Sequence, residues 1–304
     1  MKKVLAVAVA SAFAVPVYAA EVSVSGVVEY QYRDADGTTT TDRNGDTPSF
    51  TISGTSTTDA GYTVTGAITW DGDFDNDQLT VAGDFGSIAI GNPDGALDSF
   101  GDYTDIAPEK GGFAADGTDQ FMTIKPNLGI NGLSVALSMQ PATTGNDTGS
   151  NEGNAAALEY NAGSFTVYMG QEKFKGNSAN DNDTTQKTTA YGFKTTVGGL
   201  YLAAESGSVQ NSGVDSTEAK FTGIAAKYSL DKITLGVEKQ DSDSAYDKVS
   251  SDAQGDDEST VAKFDMTTAF ISYDFGGGLS AYIEQYDEKV AGGEQTTMGV
   301  KYSF

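Results

Sequence analysis

The sequence predicts an all-β protein, a transmembrane antiparallel β-barrel of about sixteen strands. Three observations predict it. Apolar and polar residues alternate with period two in segment after segment, the pattern of strands with lipid on one face and water on the other. The gaps between these segments alternate long and short along the 304 residues. The final segment, Thr296 to Phe304, sets Met298, Val300, Tyr302 and Phe304 against Thr297, Gly299, Lys301 and Ser303, and ends on an aromatic residue as a closing barrel strand does.

The chain opens Met1-Lys2-Lys3, continues with an apolar run from Val4 to Val17, and reaches small residues at Ala19-Ala20. A basic start, an apolar middle and a small cleavage site read as a secretory signal over residues 1–19, leaving 20–304 as the mature barrel. The apolar run is short for a membrane span and contains Pro16.

Strand one starts at Val22. Val22, Val24, Val28, Tyr30 and Tyr32 share one face; Ser23, Ser25, Glu29 and Gln31 share the other. A polar loop is expected from Arg33 to Pro48. Phe50 to Ser53 begins strand two, and a turn at Thr58-Asp59-Ala60-Gly61 leads to the strand Tyr62–Trp70. An acidic loop from Asp71 to Asp77 precedes two strands joined at Asp84-Phe85-Gly86. The longest early gap runs from Asn92 to Gln120. Strands around Phe121–Lys125 and Leu133–Met139 meet at Asn127-Leu128-Gly129. The remaining turns fall at Asn161-Ala162-Gly163, Val197-Gly198-Gly199, Leu230-Asp231-Lys232 and Gly276-Gly277-Gly278. This makes seven short turns, with both ends of the barrel on the short-turn side. Twelve or fourteen strands fit the same text if the weakest segments are dropped.

Composition excludes several function classes. The net charge of −25 opposes nucleic-acid binding, which needs Lys and Arg. The absence of histidine removes the usual base of a serine hydrolase and the commonest zinc ligand, so an enzyme is not expected and no cofactor or metal is called for. There is no cysteine for disulfides. Mean hydropathy is −0.31, which hides the barrel because only alternate residues face lipid. The acidic runs Asp71–Asp77 and Asp241–Ser244 read as solvated loops; the first has Asn76 where a calcium loop needs glycine.

A barrel this wide is not filled by its own side chains. The inward residues Ser23, Ser25, Thr51, Ser53, Thr63, Thr65, Thr80, Thr123, Lys194 and Lys227 are polar or charged, which suits a wet lumen. Passive diffusion follows from that geometry.

Phe85-Gly86-Ser87-Ile88-Ala89-Ile90-Gly91, then Gly95-Ala96-Leu97-Asp98, resembles the Gram-negative general porins at strand five and the start of their third loop. Tyr103-Thr104-Asp105-Ile106-Ala107-Pro108-Glu109-Lys110-Gly111-Gly112 is similar to the tip of that loop. The resemblance implies a third loop, residues 92–120, folded into the lumen, with Asp105 and Glu109 as constriction carboxylates. It also implies a homotrimer in the outer membrane, in contact with lipopolysaccharide and lipid. The barrel-assembly machinery would recognise Phe304, and ions and small hydrophilic solutes would pass. The basic side departs from the family: Val27 follows the strand-one glycine, and Arg33 and Arg43 are the only arginines. Lys125 is the nearest candidate for a basic constriction residue, and Glu29, Arg33 and Lys301 are candidates for the lumen wall. The expectation is a cation-preferring pore, with a substrate-selective channel, for oligosaccharides for example, as the alternative. Tyr168, Tyr201 and Tyr282 would be its inward aromatics.

Overall fold

The computed structural model describes residues 21–304 apart from 36–37, 44–48, 71–73, 110–119, 142–151, 178–182, 213–217, 249–258, 262 and 291–292. The expected signal, residues 1–19, lies outside the described residues. The strands are β1 (Glu21–Ala35), β2 (Thr38–Arg43), β3 (Ser49–Thr57), β4 (Thr63–Trp70), β5 (Phe74–Gly83), β6 (Gly86–Gly91), β7 (Met122–Pro126), β8 (Leu133–Gln140), β9 (Glu152–Asn161) and β10 (Phe165–Asn177). They continue as β11 (Asp183–Val197), β12 (Leu200–Ser212), β13 (Glu218–Leu230), β14 (Ile233–Ser242), β15 (Tyr246–Lys248), β16 (Ser259–Val261), β17 (Asp265–Gly276), β18 (Leu279–Glu288) and β19 (Gly293–Ser303).

All but β15 and β16 form one antiparallel sheet. β2 and β3 both pair with β1 and are two stretches of one wall position, so the barrel has sixteen positions. It closes where β1 meets β19, from Val27 opposite Ser303 to Ala35 opposite Gln295. Gly26 and Phe304 exchange both backbone hydrogen bonds at 3.0 Å. A Cβ on Gly26 would lie 2.7 Å from the Ser49 carbonyl oxygen and 2.9 Å from the Phe304 ring, so only glycine fits beneath the terminal aromatic.

Two hairpins run further than expected. β1 continues to Ala35 and pairs with Thr38–Arg43, where a loop from Arg33 was expected. β5 begins at Phe74, inside the expected acidic loop, with Phe74 opposite Trp70. Each added pair satisfies backbone groups, and the threonines at 38–41 suit extended structure. The seven short turns stand where the sequence puts them. Positive φ at Gly198, Gly199 and Asp231 shows left-handed turn conformations there.

The outward face is apolar and exposed. Val24, Ile52, Ile68, Met169, Ile224, Leu235, Ile283, Met298 and Val300 each stand between 44% and 60% accessible, as a lipid-facing band requires. Aromatic pairs line its short-turn rim: Tyr62 with Phe85, Phe165 with Phe193, Tyr273 with Phe275, and Tyr302 with Phe304.

Inside, aromatics lie flat over glycines directly opposite them. The pairs are Phe174 with Gly153, Tyr168 with Gly192, Phe221 with Gly207, Phe270 with Gly236 and Tyr282 with Gly299. A Cβ on any of these five glycines would come within 2.2–2.5 Å of the ring. The empty glycine face lets each ring lie down against the wall instead of standing across the lumen. Gly236→Ala should therefore cost about 1–3 kcal/mol by overpacking. The temperature at which the folded band disappears on an unheated-versus-heated gel should fall, and Gly236→Ala with Phe270→Ala should recover part of the loss.

Candidate functional site

After β6 the chain turns inward. Its residues 92–109 lie against inward side chains of much of the wall. The Ala96 N–H donates to Ser138 on β8 at 2.8 Å, and Thr123 on β7 donates to the Asp94 carbonyl at 2.7 Å. The apolar side of the segment, Leu97, Phe100, Tyr103 and Ile106, packs on Tyr168, Ala190, Ala203, Phe221, Ala225 and Met266 from β10 to β17. A hydrophobic core thus sits inside the barrel.

Glutamates of the wall hold the segment. Glu205 on β12 accepts the Thr104 N–H at 3.0 Å and the Thr104 hydroxyl at 2.7 Å. Glu238 on β14 accepts the N–H groups of Ile106 and Ala107 at 2.7 and 3.0 Å. Glu284 on β18 accepts the Glu109 N–H at 3.0 Å. Each is the sixth residue of a strand rising from a short turn, counted from Leu200, Ile233 and Leu279. They stand at one height on every second wall position, about 10 Å apart at the usual strand spacing. Two or three residues of extended loop bridge each step at about 3.3 Å per residue. The carboxylates supply acceptors to loop N–H groups that no sheet ladder satisfies.

Tyr103 is pinned from several sides. Its hydroxyl donates to Glu159 on β9, its ring meets Tyr168 edge-on at 4.7 Å, and the Lys194 ammonium lies 3.7 Å from the ring centroid. Burial first, and the Glu159 carboxylate second, push the Tyr103 phenol well above the usual tyrosine range, so it stays a donor in any physiological medium.

At the far end of the described segment, Glu109 meets β1. Arg33 pairs with Glu109, and Gln31 donates to its other oxygen at 2.6 Å. Gln31 also donates to the Tyr282 hydroxyl at 2.8 Å, and Tyr282 donates to Glu29. Lys301 stands 3.9 Å from Glu29. The structure therefore links four expected residues, Glu109, Arg33, Glu29 and Lys301, in one chain of polar contacts.

Asp105 is exposed, between Thr104 and Ile106, whose backbones are held by Glu205 and Glu238. Lys125 is elsewhere. β7 has only five residues, and Lys125 is the last before Pro126, opposite Ser87 at the short-turn end. The cation that meets Glu109 is Arg33. Residues 110–119 of the expected constriction segment lie outside the described residues. Tyr168 and Tyr282 are buried, and Tyr201 donates to the Tyr103 carbonyl at 2.7 Å. All three face inward; Tyr168 and Tyr201 meet Tyr103 of the loop, and Tyr282 is bonded to Glu29 and Gln31 of β1.

The two halves of the inner wall differ. Inward residues of β10 to β18, such as Glu172, Ala190, Ala203 and Thr268, are buried. Those of β3 to β6, including Thr51, Ser53, Thr65, Thr69, Thr80 and Ser87, keep partial access to solvent. Hydroxyls pair across this second half: Ser23 with Ser53 at 2.7 Å, Thr51 with Thr69 at 2.8 Å, and Thr55 with Thr65 at 3.0 Å. No inward residue of β3, β4 or β6 is charged.

Glu205, Glu238 and Glu284 were missed in the sequence. Their signal is a glutamate in the inward register at a fixed distance from a short turn. Glu205→Ala should leave the Thr104 N–H and hydroxyl without their acceptor, at about 1–3 kcal/mol for a group left unsatisfied. A lower unfolding temperature and a flickering single-channel current are expected; a quiet current would show that the loop is not held there. Glu109→Gln should destabilise the barrel more than Glu109→Gln combined with Arg33→Gln, because the single change strands a half-buried guanidinium. Thermal unfolding of both variants checks the order.

A family model described as Gram-negative porin matches residues 6–304. No curated protein matches the chain by sequence. Among solved structures, Salmonella typhi OmpF in complex with daunomycin aligns with a TM-score of 0.72 at 16% identity, covering 94% of this chain and 98% of that one. A porin refined at 1.8 Å resolution aligns with a TM-score of 0.70 at 18% identity, covering 93% and 100%. OmpT, an outer-membrane protein of Vibrio cholerae, solved in a trimer form, aligns with a TM-score of 0.68 at 14% identity, covering 94% and 100%. At these identities the likeness shows the fold alone.

Proposed function

This chain belongs to the Gram-negative porins, and from that premise we propose that it is a passive, cation-preferring channel for ions and small hydrophilic solutes. One observation carries the reading: the interior is covered on the β10–β18 side and remains solvent-accessible along the hydroxyl-lined β3–β6 side. Water and solutes take that side. The hydroxyls exchange hydrogen bonds with a passing solute without holding a charge, so the fixed charge of the path comes mainly from the loop. Arg33 neutralises Glu109, and Asp105 is the exposed carboxylate between two anchored residues. A negative group on one side of a narrow wet path concentrates cations and repels anions.

An oligosaccharide-selective channel fits less well, since Tyr168 and Tyr201 are engaged with Tyr103 of the loop and Tyr282 is bonded to Glu29 and Gln31 of β1. The same proposal includes export through a signal at residues 1–19, insertion by the barrel-assembly machinery through Phe304, and a homotrimer. The trimer form of the Vibrio cholerae relative supports the last point. So does an apolar hollow of about 550 Å³ on the outer face, where Gly54 and Gly66 stand opposite each other among Ile52, Ile68 and Leu79.

Planar-bilayer recording in a salt gradient tests the reading. The zero-current potential should have the sign of cation preference, and Asp105→Asn should move it toward zero with little change in conductance. An anion-signed potential would sink the preference, and absence of conductance would sink the channel.

A further inference from the structure

The outer face carries a feature that solute passage does not use. On β10 and β11, Lys173 and Lys187 stand directly opposite each other, exposed on the outward face. Like charges in facing positions of neighbouring strands, with Cβ atoms about 5 Å apart, are destabilising. Their lateral neighbours in register are the neutral Asn154 and Gln210. The next outward lysine of β10, Lys175, stands opposite Glu152, and Lys239 on β14 pairs with Asp265 at 3.2 Å. Opposite charges are thus matched nearby, while this pair is alike, in a chain of net charge −25.

Height identifies the complement. Two residues closer to the short turns, Gln171 donates to Thr189 at 3.3 Å. Two residues further, Met169 and Tyr191 are 57% and 56% exposed and belong to the apolar band. The two ammonium groups therefore stand about 13 Å along the strand above exposed hydrocarbon-facing side chains, at about 3.3 Å per residue. That is the level of lipid headgroups on the long-loop side, and lysine stems can lean along the apolar surface to reach it.

We propose that Lys173 and Lys187 together bind the headgroup phosphate of an anionic lipid in the outer leaflet. The phosphate accepts from both ammonium groups and relieves their repulsion, while the lipid chains lie on Met169, Tyr191 and the apolar residues below. The proposal rests on the outer-membrane reading but not on conductance, so a channel that conducts normally can still fail this test.

Native mass spectrometry of the protein purified from outer membranes supplies the test. The probes are bis-phosphorylated lipid A, dephosphorylated lipid A and inorganic phosphate. The wild type should retain the phosphorylated lipid at least ten-fold more tightly than either other probe. Lys173→Gln with Lys187→Gln should abolish that difference. Lys187→Glu creates an opposite-charge pair; it should lose the lipid while unfolding in detergent at the same or a higher temperature. Equal retention of both lipids, or equal retention by wild type and variants, would overturn the proposal. Retention of inorganic phosphate as tight as that of the lipid would make this a free-anion site and overturn the lipid assignment.

Discussion

Backbone polar groups have no water to bond with inside hydrocarbon, and the rest of this structure depends on that constraint. It forces each strand of the wall to pair on both sides, which a flat sheet cannot do at its edges. The β1–β19 seam removes the last edge. Once the sheet is closed, every side chain must face either lipid or the interior, and the two-residue alternation follows. The exposed isoleucines, valines and leucines on the outside are therefore in their proper solvent.

The same demand reappears inside the lumen, on a smaller scale. A loop crossing the interior has N–H groups with no sheet partners. Here side chains supply the acceptors, and the choice of glutamate sets where the loop runs. Acceptors at one height on β12, β14 and β18 carry it along one side of the barrel. The apolar residues of the loop then bury themselves against the aromatics and alanines between those carboxylates. Glycines opposite the aromatics keep this layer thin. The remaining side, lined with threonine and serine, keeps partial access to solvent among the described residues. The asymmetry of the described interior thus follows from how one loop satisfies its backbone.

Much of the fold was legible in the sequence because lipid imposes a rule on every second residue. The faces assigned to Val24 and Ser25, or to Val300 and Lys301, are those observed, and the turn at Gly198-Gly199 needed only its glycines. Strand ends were less legible. Threonine-rich hairpin extensions such as Thr38–Arg43 carry no apolar-polar alternation by which to read them. The interior was harder again. Which cation meets Glu109 depends on the path of a loop across the barrel, and sequence distance says nothing of it. Arg33 is 76 residues from Glu109 and touches it, whereas the much nearer Lys125 lies at the other end of its short strand. The glutamates that anchor the loop had a positional signal, yet a lone inward carboxylate reads equally well as part of a wet wall.

Gly26 and Phe304 have a consequence for how the molecule is made. They are joined by two backbone bonds, and the residues they join are farther apart in sequence than those of any other strand pair in the wall. Every other strand is joined in the sheet to one that precedes it by a turn or a loop. The seam must wait for the remainder, since bringing distant segments together carries the largest entropic cost. Until then the growing sheet has two raw borders, each able to capture a strand from another molecule. Assembly is therefore most vulnerable just before its final step.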